Sequence, residues 1–122
     1  MLTPNLILLY VDDPTKSAAF YAGLFETKPA SVFPTYAAFR FDNGLHLGLW
    51  STSAKNFLSG GSGRRSEIAF MVPDADSVRG LHDRWTSAAV PIEQPLHTAV
   101  FGLTFVAIDL DGHRIRVCVP DA

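Results

Sequence analysis

The chain is written twice, and that duplication restricts its possible folds more than any other feature. Val11-Asp12-Asp13-Pro14-Thr15-Lys16-Ser17 closes an apolar run and opens a helix-like stretch. About 61 residues later, Val72-Pro73-Asp74-Ala75-Asp76-Ser77-Val78 does the same. Each half ends in a hairpin. The first is Asp42-Asn43-Gly44 leading into Leu45 to Trp50, the second Asp111-Gly112 leading into Arg114 to Val119. A repeat at fixed offset marks a repeated supersecondary unit. With only two copies, each half is expected to bury its core against a partner half rather than to stack into a solenoid.

The local signals give β-α-β-β-β in each half. Leu6 to Val11 is a short continuous apolar run, a buried strand. Asp13 caps a helix with Pro14 at its first position, where no amide donor is needed. Ala18, Phe20, Tyr21, Leu24 and Phe25 form that helix's apolar face. Tyr36 to Phe41 and Leu45 to Trp50 are strands joined by a strong hairpin signal. In the second half Glu67 to Val72 is a strand, and Asp74 or Asp76 starts a helix carrying Val78, Leu81, Trp85 and Ala88. Pro91 and Pro95 break the chain before a strand from Thr104 to Asp109, and Arg114 to Val119 is the last strand. The chain is therefore expected to be one α+β domain over residues 1–122. Module one spans about 1–58, a Gly/Ser linker about 59–64 and module two about 65–122.

Composition removes several classes. Hydrophobic residues make up 48% and charged residues 18%, enough to build a core and too apolar for disorder. No apolar run approaches the roughly 18 residues of a membrane span, so no membrane partner is expected. Net charge is −2 and the only basic cluster is Arg64-Arg65, which argues against nucleic acid. The stretch Met1 to Asn5 has no charged region of an export signal, and a single cysteine, Cys118, fits a reducing cytoplasm. Gly60-Gly61-Ser62-Gly63 is no phosphate cradle, because no Lys-Ser/Thr follows and a strand comes next.

Side chains alternate along a strand, and the more uniformly apolar face must pack on the helix. Ile115, Val117 and Val119 pack, as do Ile68, Phe70 and Val72, Leu47 and Leu49, and Phe39 and Phe41. The repeat offset pairs Leu6 with Glu67 and so places Leu6, Leu8 and Tyr10 on the open face. That face then holds Tyr10, Tyr36, Arg40, His46, Trp50, Glu67, Arg114 and Arg116, a mixture of aromatics and a few charges suited to a ligand cavity. Trp85, at helical spacing with Val78 and Leu81, is core. His82 on the second helix and His113 in a turn are read as solvated, and His97 as part of a surface loop after Pro95.

The Val11 to Tyr21 opening, the Asp109-Leu110-Asp111-Gly112 hairpin and the paired modules resemble the vicinal-oxygen-chelate superfamily. Its members include glyoxalase I, extradiol dioxygenases and bleomycin-binding proteins. The resemblance implies two βαβββ modules related by a pseudo-two-fold axis. Enzymes of the superfamily draw one metal ligand, usually His, Gln or Glu, from each of four strands. The matching positions here are Leu6, Gly48, Glu67 and Arg116, of which only Glu67 offers a metal a donor. No metal and no cofactor are therefore expected. Thr3-Pro4-Asn5-Leu6, Leu49-Trp50-Ser51, Ser66-Glu67-Ile68, Val100-Phe101-Gly102 and Arg114 to Cys118 resemble the phenazine-antibiotic resistance proteins of this superfamily, which are non-enzymatic binders.

The expectation is a cytoplasmic module that sequesters a small planar aromatic compound, of the kind of a phenazine antibiotic. Trp50 is its stacking wall and Phe101 its opposite wall or lid. Tyr10, Tyr36 and His46 line it, and Arg40 or Arg116 meets a ligand carboxylate. Glu67 and Arg116 either contact the ligand or pair with each other across the pseudo-two-fold in place of the metal. The superfamily pairs modules around a two-fold, often between chains, which implies a homodimer. The alternatives are a metal-dependent lyase, isomerase or dioxygenase, and a degenerate member that serves as a regulatory subunit.

Overall fold

The computed structural model describes residues 1–55, 57 and 65–120, and the Gly/Ser stretch read as a linker lies outside them. The chain divides into two compact units, Met1–Gly61 and Ser62–Ala122. In the first, strand β1 (Leu6–Val11) leads to helix α1 (Pro14–Phe25), then to β2 (Ser31–Phe33), β3 (Tyr36–Arg40) and β4 (His46–Ser51). The second repeats the order as β5 (Ile68–Met71), α2 (Ala75–Ser87), β6 (Ile92–Ala99), β7 (Gly102–Ile108) and β8 (Arg114–Cys118). The sheets run β1-β4-β3-β2 and β5-β8-β7-β6. Each first and last strand pair in parallel and the other neighbours are antiparallel. This is the expected α+β arrangement of two βαβββ modules.

Both helices start where the sequence places them. The carboxylate of Asp13 accepts the amides of Thr15 and Lys16, with Pro14 at the first position. Asp74, not Asp76, caps α2. It accepts the hydroxyl and the amide of Ser77, each at 2.8 Å. The Ser77 hydroxyl, then its amide, holds the Asp74 carboxyl below its usual range. A lowered carboxylate value favours the folded state above the unfolded value, so this cap is lost only as pH falls through the lowered one. Gly44 and Gly112 take φ of 89° and 86° in the two hairpin turns, a region that side chains with a Cβ avoid.

One face of each sheet is sealed by its helix. Ala37, Phe39, Leu47 and Leu49 are buried under α1, where Tyr21 and Phe25 stack at 5.3 Å and Phe25 meets Phe39 and Phe41 edge-on. In the second module Phe105, Ile115 and Val117 are buried with Val78 and Trp85 of α2. Trp85 meets Phe105 at 5.6 Å and Phe70 at 6.1 Å. The alternation read from sequence holds in β3 and β5, whereas β7 buries four consecutive residues, Thr104 to Ala107, and so hides both of its faces.

Four local readings are corrected. Pro95 does not break the chain. It lies within β6, whose pairing to β7 shifts register between Ile92 and Gln94 and again between Gln94 and His97. Strand β6 is at the sheet edge, where a missing N–H and a bulge are tolerated. His97 is therefore a strand residue opposite Thr104, and Phe101 sits in the β6–β7 hairpin turn. Ala88 is the exposed C-cap of α2 rather than part of its buried face. His82 is half-buried, edge-on to Phe105 at 5.1 Å, because the stripe that buries Trp85 also covers position 82.

The Trp85 indole N–H is buried and finds no acceptor among the described residues. Truncation to alanine removes a large core side chain, so Trp85→Ala should cost about 3–5 kcal/mol of unfolding free energy. Trp85→Phe, which deletes the orphaned donor and keeps a ring, should cost far less. Urea titrations of the two variants measure the difference.

Candidate ligand-binding site

Strand register sorts the uncovered face of the first module into rows. Tyr10 of β1 lies opposite Trp50 of β4, and Trp50 lies opposite Tyr36 of β3. One rung along come Leu8, Gly48 and Ala38, and beyond them Leu6, His46 and Arg40. The sequence thus sets three aromatic residues abreast on three neighbouring strands. Tyr10 meets Trp50 at 6.3 Å and an interplanar angle of 70°. Phe57, in the segment after β4, joins them at 5.0 Å from Tyr10 and 4.9 Å from Trp50. Leu6, Leu8, Thr35, Tyr36 and Trp50 line an open cleft of about 450 Å³.

Gly48 explains how Tyr36 enters this row. A Cβ built on Gly48 would collide with the Tyr36 hydroxyl and lie 3.0 Å from its Cζ and 2.8 Å from Leu8 Cδ1. The tip of the Tyr36 ring therefore reaches over the glycine and occupies the space of the missing side chain. Arg40 and His46 sit four residues along their strands from this row, ~13 Å at 3.3 Å per residue. They share its face without joining it.

The second module carries the polar part of the predicted set. Arg116 Nε donates to Glu67 Oε1 at 2.5 Å and Nη2 to Oε2 at 3.4 Å. Nη1 donates to Thr104 Oγ1 at 3.1 Å, and the Phe101 ring centre lies 5.6 Å from the guanidinium carbon. Arg114 is held in the same way, with Nε 2.6 Å from Glu93 Oε1. Glu67, Glu93 and Arg114, with Arg65, Ser66 and Gln94, line an open polar cleft of about 390 Å³. The sequence reading set the Glu67–Arg116 pair across the pseudo-two-fold. The structure places both residues in the second module, with Arg116 on β8 and Glu67 one residue before β5, because these strands are parallel neighbours.

Phe57 and Glu93 were not singled out from sequence, and Thr104 entered only through the resemblance, not as a site residue. Thr104 had a usable signal, since alternation puts it on the face opposite the buried Phe105. Phe57 and Glu93 had none, lying in or beside segments read as irregular.

The four positions that the resemblance assigns to metal ligands can be tested on this geometry. Leu8 lies opposite Gly48 and Ala69 opposite Arg116, so Gly48 and Arg116 hold equivalent rungs of the two modules. Gly48 has neither a donor nor room for one, Leu6 is aliphatic, and Glu67 turns both carboxylate oxygens to Arg116. Among the described residues no three His, Cys, Asp or Glu side chains gather closely enough to hold a metal ion. These residues do not fit a divalent cation.

A profile of the Glyoxalase/Bleomycin resistance protein/Dioxygenase superfamily matches residues 3–117. The chain belongs to this superfamily. The phenazine antibiotic resistance protein EhpR of Enterobacter agglomerans is 37% identical over 124 residues, covering 98% of this chain and 94% of that protein. A protein of Agrobacterium tumefaciens solved by solution NMR is 34% identical, with 98% of each chain covered and a TM-score of 0.78. At 22% identity, a glyoxalase-related enzyme from Fulvimarina pelagi shares the glyoxalase-like fold, with a TM-score of 0.81 over 96% of this chain and 87% of that one. No helix among the described residues is long and apolar enough to cross a membrane.

Gly48→Ala should expel the Tyr36 ring from its place over β4 while leaving the helix-facing core intact. The check is the Tyr36 ring-current shift on the residue-48 α-proton by NMR. That shift should collapse in Gly48→Ala, with a melting temperature near that of the parent.

Proposed function

We propose that this chain binds and sequesters a small planar aromatic compound of phenazine type without transforming it. The register-fixed row Tyr10–Trp50–Tyr36 above an open cleft carries the reading. A large, rigid aromatic side chain such as Trp50 at the cleft wall gives a flat ring a stacking surface at little cost in side-chain entropy. The 37% identity to a phenazine antibiotic resistance protein supports the same ligand class and a resistance role. Sequestration needs affinity alone, which suits the absence of a metal-competent donor set among the described residues. Arg40 shares this face, is exposed and makes no ion pair among the described residues, so it can meet the carboxylate of a ligand long enough to reach it.

The same face exposes Leu6, Leu8 and Tyr10 at 50%, 38% and 39%. An apolar patch of this kind marks an interaction surface. We read the working form as a homodimer in the cytoplasm, where the buried thiol of Cys118 stays reduced. Sedimentation at micromolar concentration should give twice the chain mass, and a monomer would contradict the dimer.

Trp50→Ala should weaken binding of phenazine-1-carboxylate by about 1–3 kcal/mol, the range for stacking of a heteroaromatic base on an aromatic side chain. Its unfolding midpoint should stay near the parent's, since Trp50 faces away from the helix-covered core. Calorimetric titration and urea unfolding on one protein preparation measure both quantities. Unchanged affinity would remove Trp50 from the site, and wholesale unfolding would make it core.

A further inference from the structure

A bulge in β6 shapes the polar cleft of the second unit. Ile92 pairs with Ala107 and Gln94 with Val106, so two steps along β6 match one along β7 and Glu93 is the extra residue. Regular alternation would send Glu93 and Gln94 to opposite faces. Both instead line one cleft of about 390 Å³, together with Arg65, Ser66, Glu67 and Arg114. All of these residues belong to the second unit. Bulges re-aim side chains in this way beside functional sites.

Glu93, turned into the cleft, fixes Arg114. Its Oε1 accepts from Arg114 Nε at 2.6 Å, and the two side chains are only 33% and 26% exposed. A guanidinium has five N–H groups in one plane. Glu93 takes the one on Nε, and those on the two terminal nitrogens have no partner among the described residues. The outer edge of that plane carries two parallel N–H groups, at the spacing of the two oxygens of a carboxylate. Arg114 is thus held at one corner of its guanidinium and open along the outer edge.

Charge sets what the open edge takes. Glu93 balances Arg114, and Arg116 balances Glu67. Arg65 lines the same cleft, is exposed and makes no ion pair among the described residues, so its charge is left over. That surplus favours a ligand with a single negative charge. A dianion meets twice the repulsion from the carboxylates of Glu93 and Glu67.

We propose that this cleft is a binding site for small monocarboxylates. The outer edge of Arg114 holds both carboxylate oxygens, Arg65 supplies the net charge, and Glu93 is the positioning residue that keeps the fork in place. The site lies wholly within the second unit and does not depend on what stacks on the aromatic row of the first.

Acetate is the probe, because it carries the group and has no ring to stack. Heteronuclear NMR titration of the full chain, with ionic strength held constant by chloride, follows the Arg114 Nε–H and the Gln94 side-chain amide. Both should shift saturably. Arg114→Lys keeps the charge and loses the fork, and should weaken acetate binding, read at Gln94, by about tenfold. Arg65→Gln should weaken it by roughly threefold. Glu93→Gln keeps an acceptor for Nε and removes the negative charge. It should shift the affinity ratio toward dianionic phosphate by roughly threefold, which lost structure alone would not do. Shifts that chloride alone reproduces, or full acetate affinity in Arg114→Lys, overturn the site. An unchanged ratio in Glu93→Gln removes Glu93 from its role. Inorganic phosphate binding more tightly than acetate to the parent overturns the carboxylate assignment in favour of a phosphoryl group.

Discussion

Each module has one helix for a four-stranded sheet, and a helix can cover only one face. Everything specific to this chain follows from what it does with the other. Strand alternation then divides the residues strictly. The positions under α1 and α2 are apolar and mostly buried, as a close-packed core requires. The alternate positions need not be apolar, and it is there that the two modules differ.

Equivalent rungs of the two sheets show how far they have diverged. The row Tyr10–Trp50–Tyr36 in the first module corresponds to Met71–Cys118–Thr104 in the second, and Leu8–Gly48–Ala38 to Ala69–Arg116–Val106. One face is aromatic, with a glycine making room for a ring. The other has no aromatic row and sets a threonine and an arginine among small and apolar residues, the arginine where the first has the glycine. Both substitutions act at positions from which metal-dependent relatives are expected to draw ligands. In one case the ring of Tyr36 fills the space, and in the other a guanidinium supplies Glu67 with the positive charge that an ion would otherwise bring. An unpaired Glu67 or Arg116 in a partly buried setting would be costly, so each depends on the other.

Much of this was legible in the sequence, because caps, hairpin glycines and period-two alternation are local signals. Asp13, Asp74, Gly44 and Gly112 act as their residue types demand, parity placed Tyr36 and Trp50 on one face, and the repeat offset placed Tyr10 beside them. It failed where tertiary context overrides local preference. Pro95 reads as a breaker until β6 is known to be an edge strand with bulges. The Glu67–Arg116 pair was foreseen but assigned across the modules, since chain distance conceals that first and last strands are neighbours within a module. Phe57 stands beside a Gly/Ser-rich stretch, and nothing local shows that its ring turns back onto Tyr10 and Trp50. Tyr36 was visible, whereas its dependence on Gly48 was not, because a glycine's role in close approach appears only when its neighbours have coordinates.

The central claim is that aromatic stacking on the first module, without a metal ion, holds the ligand. The chain has two tryptophans, so Trp85→Phe leaves Trp50 as the only indole reporter. The measurement is quenching of its emission by phenazine-1-carboxylate, after exhaustive chelation and again with a divalent ion restored. The account predicts saturable quenching with the same dissociation constant in both conditions. Quenching that appears only when the ion is present, or none in either condition, would contradict it.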